Sequence, residues 1–163
     1  MTDLLAHALA GYVVATLATW WLALDSRYVP FGVVGAVVPD AAKVYYLTDG
    51  VRSTVFGVEI GWLALQTLGV SLAACGIVAL AVSWRHRRAA LGMLVGGVVV
   101  HVAMDYFVVR AGGVAPPYLY PLTWAQLPSV GLYLSSDVWP SAGALVAAGL
   151  VWELDRRRTD RSA

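Results

Sequence analysis

Apolar residues along the chain fall into five long blocks, separated by short polar or proline-rich breaks. The first, Leu4–Leu24, reaches about 31 Å as a helix, enough to cross a bilayer. Met1 to Asp3 carry no positive segment, and the block is too long for a signal-peptide core, which predicts a retained helix. The second block, Phe31–Leu47 within a span of 29–47, is interrupted by Pro39-Asp40. The third span, 63–84, follows an amphipathic stretch around Val55–Trp62, and the fourth covers 89–109. Pro116, Pro117, Pro121 and Pro128 preclude a continuous helix in the outer loop 110–137. Ser135-Ser136-Asp137 then offers an N-cap for a fifth span, 138–154, with Pro140 tolerated in its first turn. The pattern predicts an all-α integral membrane protein, a bundle of about five transmembrane helices forming a single domain over 1–163, with no internal repeat.

Composition sharpens this reading by exclusion. Hydrophobic residues make up 60% of the chain and charged residues 13%, about half the roughly 25% of a soluble domain. A soluble chain of 163 residues could not hide that much apolar surface in one core. A soluble enzyme, a disordered chain and a nucleic-acid binder are therefore excluded. The single cysteine, Cys75, excludes a disulfide framework and a thiolate metal site.

Charge matters by position rather than by its net value of +1. Of the 11 basic residues, Arg27, Arg85, Arg87, Arg88, Arg156, Arg157, Arg158 and Arg161 share one side of a five-span bundle. Lys43, Arg52 and Arg110 remain for the rest. The positive-inside rule makes the first group cytoplasmic and predicts a multi-pass protein of the cell membrane, N-terminus out and C-terminus in. Tryptophan agrees with this orientation. Trp20, Trp21, Trp84 and Trp152 fall at the inner interface, and Trp62, Trp124 and Trp139 at the outer one.

Against that background four ionisable residues inside the spans stand out: His7, Asp40, His101 and Asp105. Each costs at least ~2.5–3.5 kcal/mol to insert, so each asks for a function. All four fall in the outer half of the membrane. His101 and Asp105 are i and i+4 on one helix face, with Gly97 a turn earlier, and Asp3, His7 and Gly11 repeat the arrangement in span one. The small residues let a neighbouring helix approach closely. Imidazole and carboxylate together suit a divalent metal such as zinc. Pro39 breaks the helix ladder and frees backbone carbonyls next to Asp40. The competing reading is a hydrogen-bonded pair that only holds helices together, worth ~1 kcal/mol. His86, in Trp84-Arg85-His86-Arg87-Arg88, reads as part of a solvated anchor. Gly92 and Gly96 form a helix-packing motif suited to a homo-oligomer through glycine-rich faces. Tyr118, Tyr120, Trp124 and Tyr133 form an interfacial belt that could also roof a site beneath it.

"LLAHALAG" around His7, "GAVVPDAAK" at Gly35–Lys43, "HVAMD" at His101–Asp105 and "YLYPLTW" at Tyr118–Trp124 resemble the YdjM-like membrane-bound metal-dependent hydrolases over residues 4 to about 125. That family is distantly similar to zinc-dependent phospholipase C and P1 nuclease, in which His and Asp residues hold zinc ions that activate water. The resemblance implies that His7, Asp40, His101 and Asp105 are metal ligands. It leaves Asp40 or Asp105 as general base where not coordinated, and points to an ester or phosphoester substrate. A site opening outward would meet a membrane lipid or lipid-linked substrate. Three positions depart from the family pattern. Pro-Asp-x-Asp-His becomes Pro39-Asp40-Ala41-Ala42-Lys43, and Gln66 is the nearest polar residue where the family has a further His. The ligands that remain suffice for one metal. Two other readings stay open: a non-catalytic module whose His/Asp cluster is structural, and a small transporter or proton path.

Overall fold

The computed structural model describes residues 2–46, 53–55, 58–60, 66–110 and 112–162. Leu47, Arg52, Trp62 and the predicted start of the third span at 63–65 lie outside the described residues. The described residues form five α-helices: α1 (Thr2–Leu22), α2 (Val29–Val37), α3 (Leu68–Leu80), α4 (Trp84–Tyr106) and α5 (Trp139–Ser162). A 3-10 helix, Val38–Tyr46, continues α2. The one short antiparallel ladder among them pairs β1 (Ser53–Val55) with β2 (Val58–Ile60), Thr54 opposite Glu59, in the segment read from sequence as amphipathic.

Several boundaries differ from the sequence expectation, each for a local reason. α1 stops at Leu22 because Ala23 adopts a left-handed conformation (φ 52°) and Leu24 N–H returns to the Thr19 carbonyl at 3.0 Å, the closing bond of a Schellman-type cap. The second span is not one α-helix. Pro39 has no N–H, and the chain tightens into 3-10 winding from Val38. α3 has only 13 residues, about 20 Å of helix. Its end is capped by Arg87, whose side chain donates to the carbonyls of Ala79, Leu80 and Val82. Asp137 does not cap α5. Its carboxylate accepts the Leu134 N–H at 2.9 Å within the loop, and α5 runs on past 154 to Ser162.

α2 and α4 pack against each other, α1 covers both, α3 packs on α4 and α5 on α1. The three-helix contact depends on residues without side chains. A Cβ at Gly97 would run into the Gly32 carbonyl and the Ala36 backbone nitrogen, and one at Gly35 into the Leu94 backbone. Backbones therefore touch at the level just below His101, whereas α1 meets α2 through alanine methyls set on glycines, Ala36 on Gly11 and Ala15 on Gly32. Beside this seam, Cys75 and Ala79 of α3 pack on Leu94 and Val98 of α4.

The two ends of the bundle differ. At one, Trp20 donates to Asp155 at 2.7 Å, Arg158 covers the Trp20 ring at 4.7 Å, Arg87 lies 5.5 Å from the Trp84 ring, and Tyr28 bonds His86 at 2.7 Å. His86 is thus tied to the α1–α2 turn rather than simply solvated. At the other end the 112–138 loop folds back on α4. Val109 N–H reaches the Tyr133 carbonyl at 2.7 Å, and Tyr133 O–H reaches the Met104 carbonyl at 2.8 Å. Apolar side chains such as Leu17, Ile77, Val99, Leu145 and Leu150 are exposed, whereas His7, Asp40, His101 and Asp105 are buried. Large apolar side chains thus lie on the surface, while these four ionisable groups sit inside a core that is otherwise mostly apolar.

Candidate metal centre

The glycine seam sets the site. One turn beyond Gly11 toward the N-terminus of α1 stands His7, one turn beyond Gly97 stands His101, and Asp40 follows Ala36 in the 3-10 helix. Close backbone contact at the seam leaves these side chains no choice but to meet. The His7 and His101 rings stack with centroids 4.0 Å apart and planes 24° apart. His7 Nε2 lies 3.5 Å from Asp105 Oδ1, and its Nδ1 lies 3.6 Å from Asp40 Oδ2. His101 Nε2 lies 3.8 Å from Asp105 Oδ2 and 4.0 Å from Asp40 Oδ1. All four residues singled out by sequence therefore come together. Among the described residues, His7, His101 and Asp105 form a buried group whose ligand atoms all lie within 4.8 Å of one another, and this group could hold a metal ion.

Backbone chemistry fixes the tautomer of His101. Its Nδ1 is 2.8 Å from the Ala36 carbonyl, which can only accept, so Nδ1 carries the proton and donates. In 3-10 winding the Ala36 carbonyl would bond the N–H of residue 39, and Pro39 has none. The carbonyl freed by proline is satisfied by the histidine. Neutral His101 then turns the Nε2 lone pair toward two carboxylates. Lone pairs facing one another at 3.8–4.0 Å require a positive charge between them or a proton on the ring. Donors bound tetrahedrally at 2.0–2.2 Å from one ion lie about 3.4 Å apart. The separations of His7 and His101 from Asp105, 3.5 and 3.8 Å, are close to that spacing within a group whose ligand atoms spread over at most 4.8 Å, and they are longer than good N–H···O hydrogen bonds.

Two basic residues and a phenol complete the cluster. Lys43 Nζ pairs with Asp40 Oδ1 at 2.7 Å. Arg110 donates to Asp105 Oδ2 at 3.0 Å and to Tyr118 Oη at 2.8 Å, and Tyr118 O–H donates in turn to Asp105 Oδ2 at 3.1 Å. Burial and the neighbouring Asp105 carboxylate push the Tyr118 phenol above its ordinary pKa, which keeps it a donor. The other oxygen of Asp40, Oδ2, is buried without a hydrogen-bond partner.

Sequence reasoning placed Lys43 only as a departure from the family pattern and Arg110 only as a leftover charge. The pairing of Lys43 was legible in principle, because side chains at i and i+3 eclipse on a 3-10 helix. Arg110 lies beyond the end of α4, where no helical spacing rule applies. Tyr118, read as part of a belt, is instead buried on Asp105, which is the roofing role left open for it. No protein-family model, curated protein or solved structure matches this chain, so its chemistry has to be read from the residues themselves.

Proposed function

We propose that this chain is a membrane-bound, metal-dependent hydrolase, with the ion held by His7, His101 and Asp105 and with Asp40 beside them. The observation that carries the reading is the fixed orientation of His101. Its Nδ1–H is committed to the Ala36 carbonyl, so its metal-binding nitrogen points at Asp105 and Asp40. Nitrogen and oxygen donors without thiolate suit zinc, the ion the family resemblance implies.

A membrane setting is supported by two helices among the described residues, Leu4–Leu22 and Trp84–Tyr106, that are long and apolar enough to cross a bilayer. The many large apolar side chains exposed on the surface add to that support. α2 and its 3-10 extension together reach about 31 Å, because 3-10 winding rises further per residue. α5 is apolar over 142–152 before its charged end, and α3 is a short apolar helix. Under the positive-inside rule the arginines over Trp20, Trp84 and Trp152 support a cytoplasmic end there, with the cluster toward the outer face. Gly92 and Gly96 face open space and suit contact with a second copy of the chain.

The ion, when bound, would lower the pKa of water and polarise an ester or phosphoester oxygen. Asp40, not needed as a ligand, would serve as the general base that takes the proton water loses as its oxygen attacks the phosphorus or carbonyl carbon. The ester bond to the leaving alcohol would break, and the proton taken up by Asp40 would pass to that alcohol. Tyr118 would hold Asp105 in position meanwhile. The test is metal content of the purified protein by mass spectrometry, together with phosphoesterase assays on soluble and lipid substrates. Stoichiometric zinc or manganese, lost in His101→Ala along with activity, supports the reading. Background metal in both proteins sinks it.

A second reading has its own observation. Lys43 on Asp40 and Arg110 on Asp105 already neutralise both carboxylates, as a structural cluster would require. On that reading His101→Ala and Asp105→Ala destabilise the protein equally with and without chelator.

A further inference from the structure

We infer that Lys43 and Arg110 form an anion clamp, which selects a phosphate group as the part of the substrate presented to the His/Asp cluster. The inference rests on the hydrolytic reading above and names the group recognised and the residues that recognise it.

Placement is the first observation. The side chains of Asp40 and Asp105 are 3% and 7% exposed, whereas those of Lys43 and Arg110, paired to them, are 29% and 28% exposed. The carboxylates are the floor and the cations the accessible flank. A group entering from outside meets positive charge before it meets the histidines.

Arg110 supplies the second observation. Its terminal nitrogen serves both Asp105 and Tyr118, yet its Nε–H is buried with no acceptor within hydrogen-bond reach. A buried donor without an acceptor is costly and rarely kept. An oxygen lying along the guanidinium edge would use it, in the fork geometry by which arginine reads phosphate, while lysine contributes a point charge.

Charge supplies the third. Two carboxylates, one ammonium and one guanidinium sum to zero with both imidazoles neutral. A divalent ion on His7, His101 and Asp105 adds two positive charges to a buried, low-dielectric place, and an anion must offset them. A phosphomonoester brings about −1.5 to −2 at pH 7 and a diester −1, whereas a carboxylic ester or an amide brings none. The clamp therefore favours phosphoryl over acyl substrates. It also links the two ligands. Asp105 would be shared between Arg110 and a bound ion, which would loosen its hold on the guanidinium and leave Arg110 for phosphate oxygens, so ion and phosphate would each strengthen the other's binding by the same factor.

The experiment uses the full chain in phosphatidylcholine nanodiscs. Zinc stoichiometry is measured first. Binding of inorganic phosphate is then followed by calorimetry with and without zinc, beside a parallel arm with phosphatidic acid in the bilayer. Zinc-loaded protein is expected to bind phosphate at least about tenfold more tightly than zinc-free protein. Lys43→Gln and Arg110→Gln should each weaken phosphate binding by about tenfold or more while zinc still binds. Acetate should not compete. Tighter binding of phosphatidic acid than of inorganic phosphate supports the clamp and assigns its ligand to a lipid headgroup. Equal binding supports the clamp and assigns a soluble phosphate. Unchanged phosphate affinity in both variants overturns the clamp and leaves the hydrolytic reading standing. Failure of the wild-type protein to bind zinc overturns both. Should Arg110→Gln not fold, Arg110→Lys, which keeps the charge and loses the fork, serves in its place, and wild-type affinity in it counts against the clamp.

Discussion

His7 and His101 come from the first and fourth α-helices, yet their rings stack at 4.0 Å with planes only 24° apart. Stacking alone would be an ordinary packing contact. Here it aligns the rings so that Nε2 of each lies within 3.8 Å of an Asp105 oxygen, one on Oδ1 and the other on Oδ2. One carboxylate thus faces two imidazoles, and the helices cannot slide past each other without breaking that arrangement.

Metal binding to the native cluster and not to the unfolded chain must raise stability. An ion at 100 times its Kd contributes about 2.7 kcal/mol. A strong chelator is expected to lower the melting temperature of zinc-loaded protein in detergent. His101→Ala should melt lower than wild type and show no response to chelator. An equal chelator response in the variant would place the bound metal elsewhere.

Gly97→Ala and Gly92→Ala are chemically the same change with opposite expected outcomes. At Gly97 the new Cβ meets backbone atoms of Gly32 and Ala36, which cannot swing aside, and a cost of about 1–3 kcal/mol is expected. Because that seam also seats His7 and His101, metal binding should weaken as well. At Gly92 the space is open, so a thermal melt should match wild type. Equal melting of the two variants would mean that α2 and α4 are not in backbone contact.

How far the sequence could be read follows from which interactions are local. The cluster itself was legible, since His101-x-x-x-Asp105 shares a face by helical period and Gly97 lies a turn away. The 3-10 winding after Val38 was half legible. Pro39 signals a break, but nothing local says that His101 will take the carbonyl it frees. Arg110 and Tyr118 were not legible as site residues, because the 112–138 loop closes through long-range bonds such as Leu68 N–H to the Tyr118 carbonyl at 2.7 Å. α5 ran longer than its apolar block because the arginines after 154 are good helix formers, and apolar content marks where a span ends, not where a helix does.

Orientation can be tested with cysteine. Cys75 is fully buried on α4, so its own labelling should be slow and the background low. In intact cells Ser129→Cys, in the loop, should react with a membrane-impermeant maleimide, and Thr159→Cys should react only after permeabilisation. The reverse pattern would invert the bundle and place the His/Asp cluster at the cytoplasmic face.

Tyr118 gives a prediction with a definite sign. Its phenol is buried on the Asp105 carboxylate, so ionisation would set two anions side by side and remove the O–H that Asp105 accepts. The folded pKa therefore lies above the ordinary 10.0. A group raised in the folded state contributes stability that is complete below its unfolded pKa and fades as pH climbs through the folded value. Stability held by Tyr118 is thus intact at neutral pH and lost only on the alkaline side of about 10. Ultraviolet titration of wild type against Tyr118→Phe should show no tyrosinate step from this residue near pH 10. Tyr118→Phe itself should lower stability at pH 7 by about 1.5–3 kcal/mol, the range for a hydrogen bond to a charged group. A difference spectrum with a step at pH 10 would mean that Tyr118 is in water, and the roof over Asp105 would not exist.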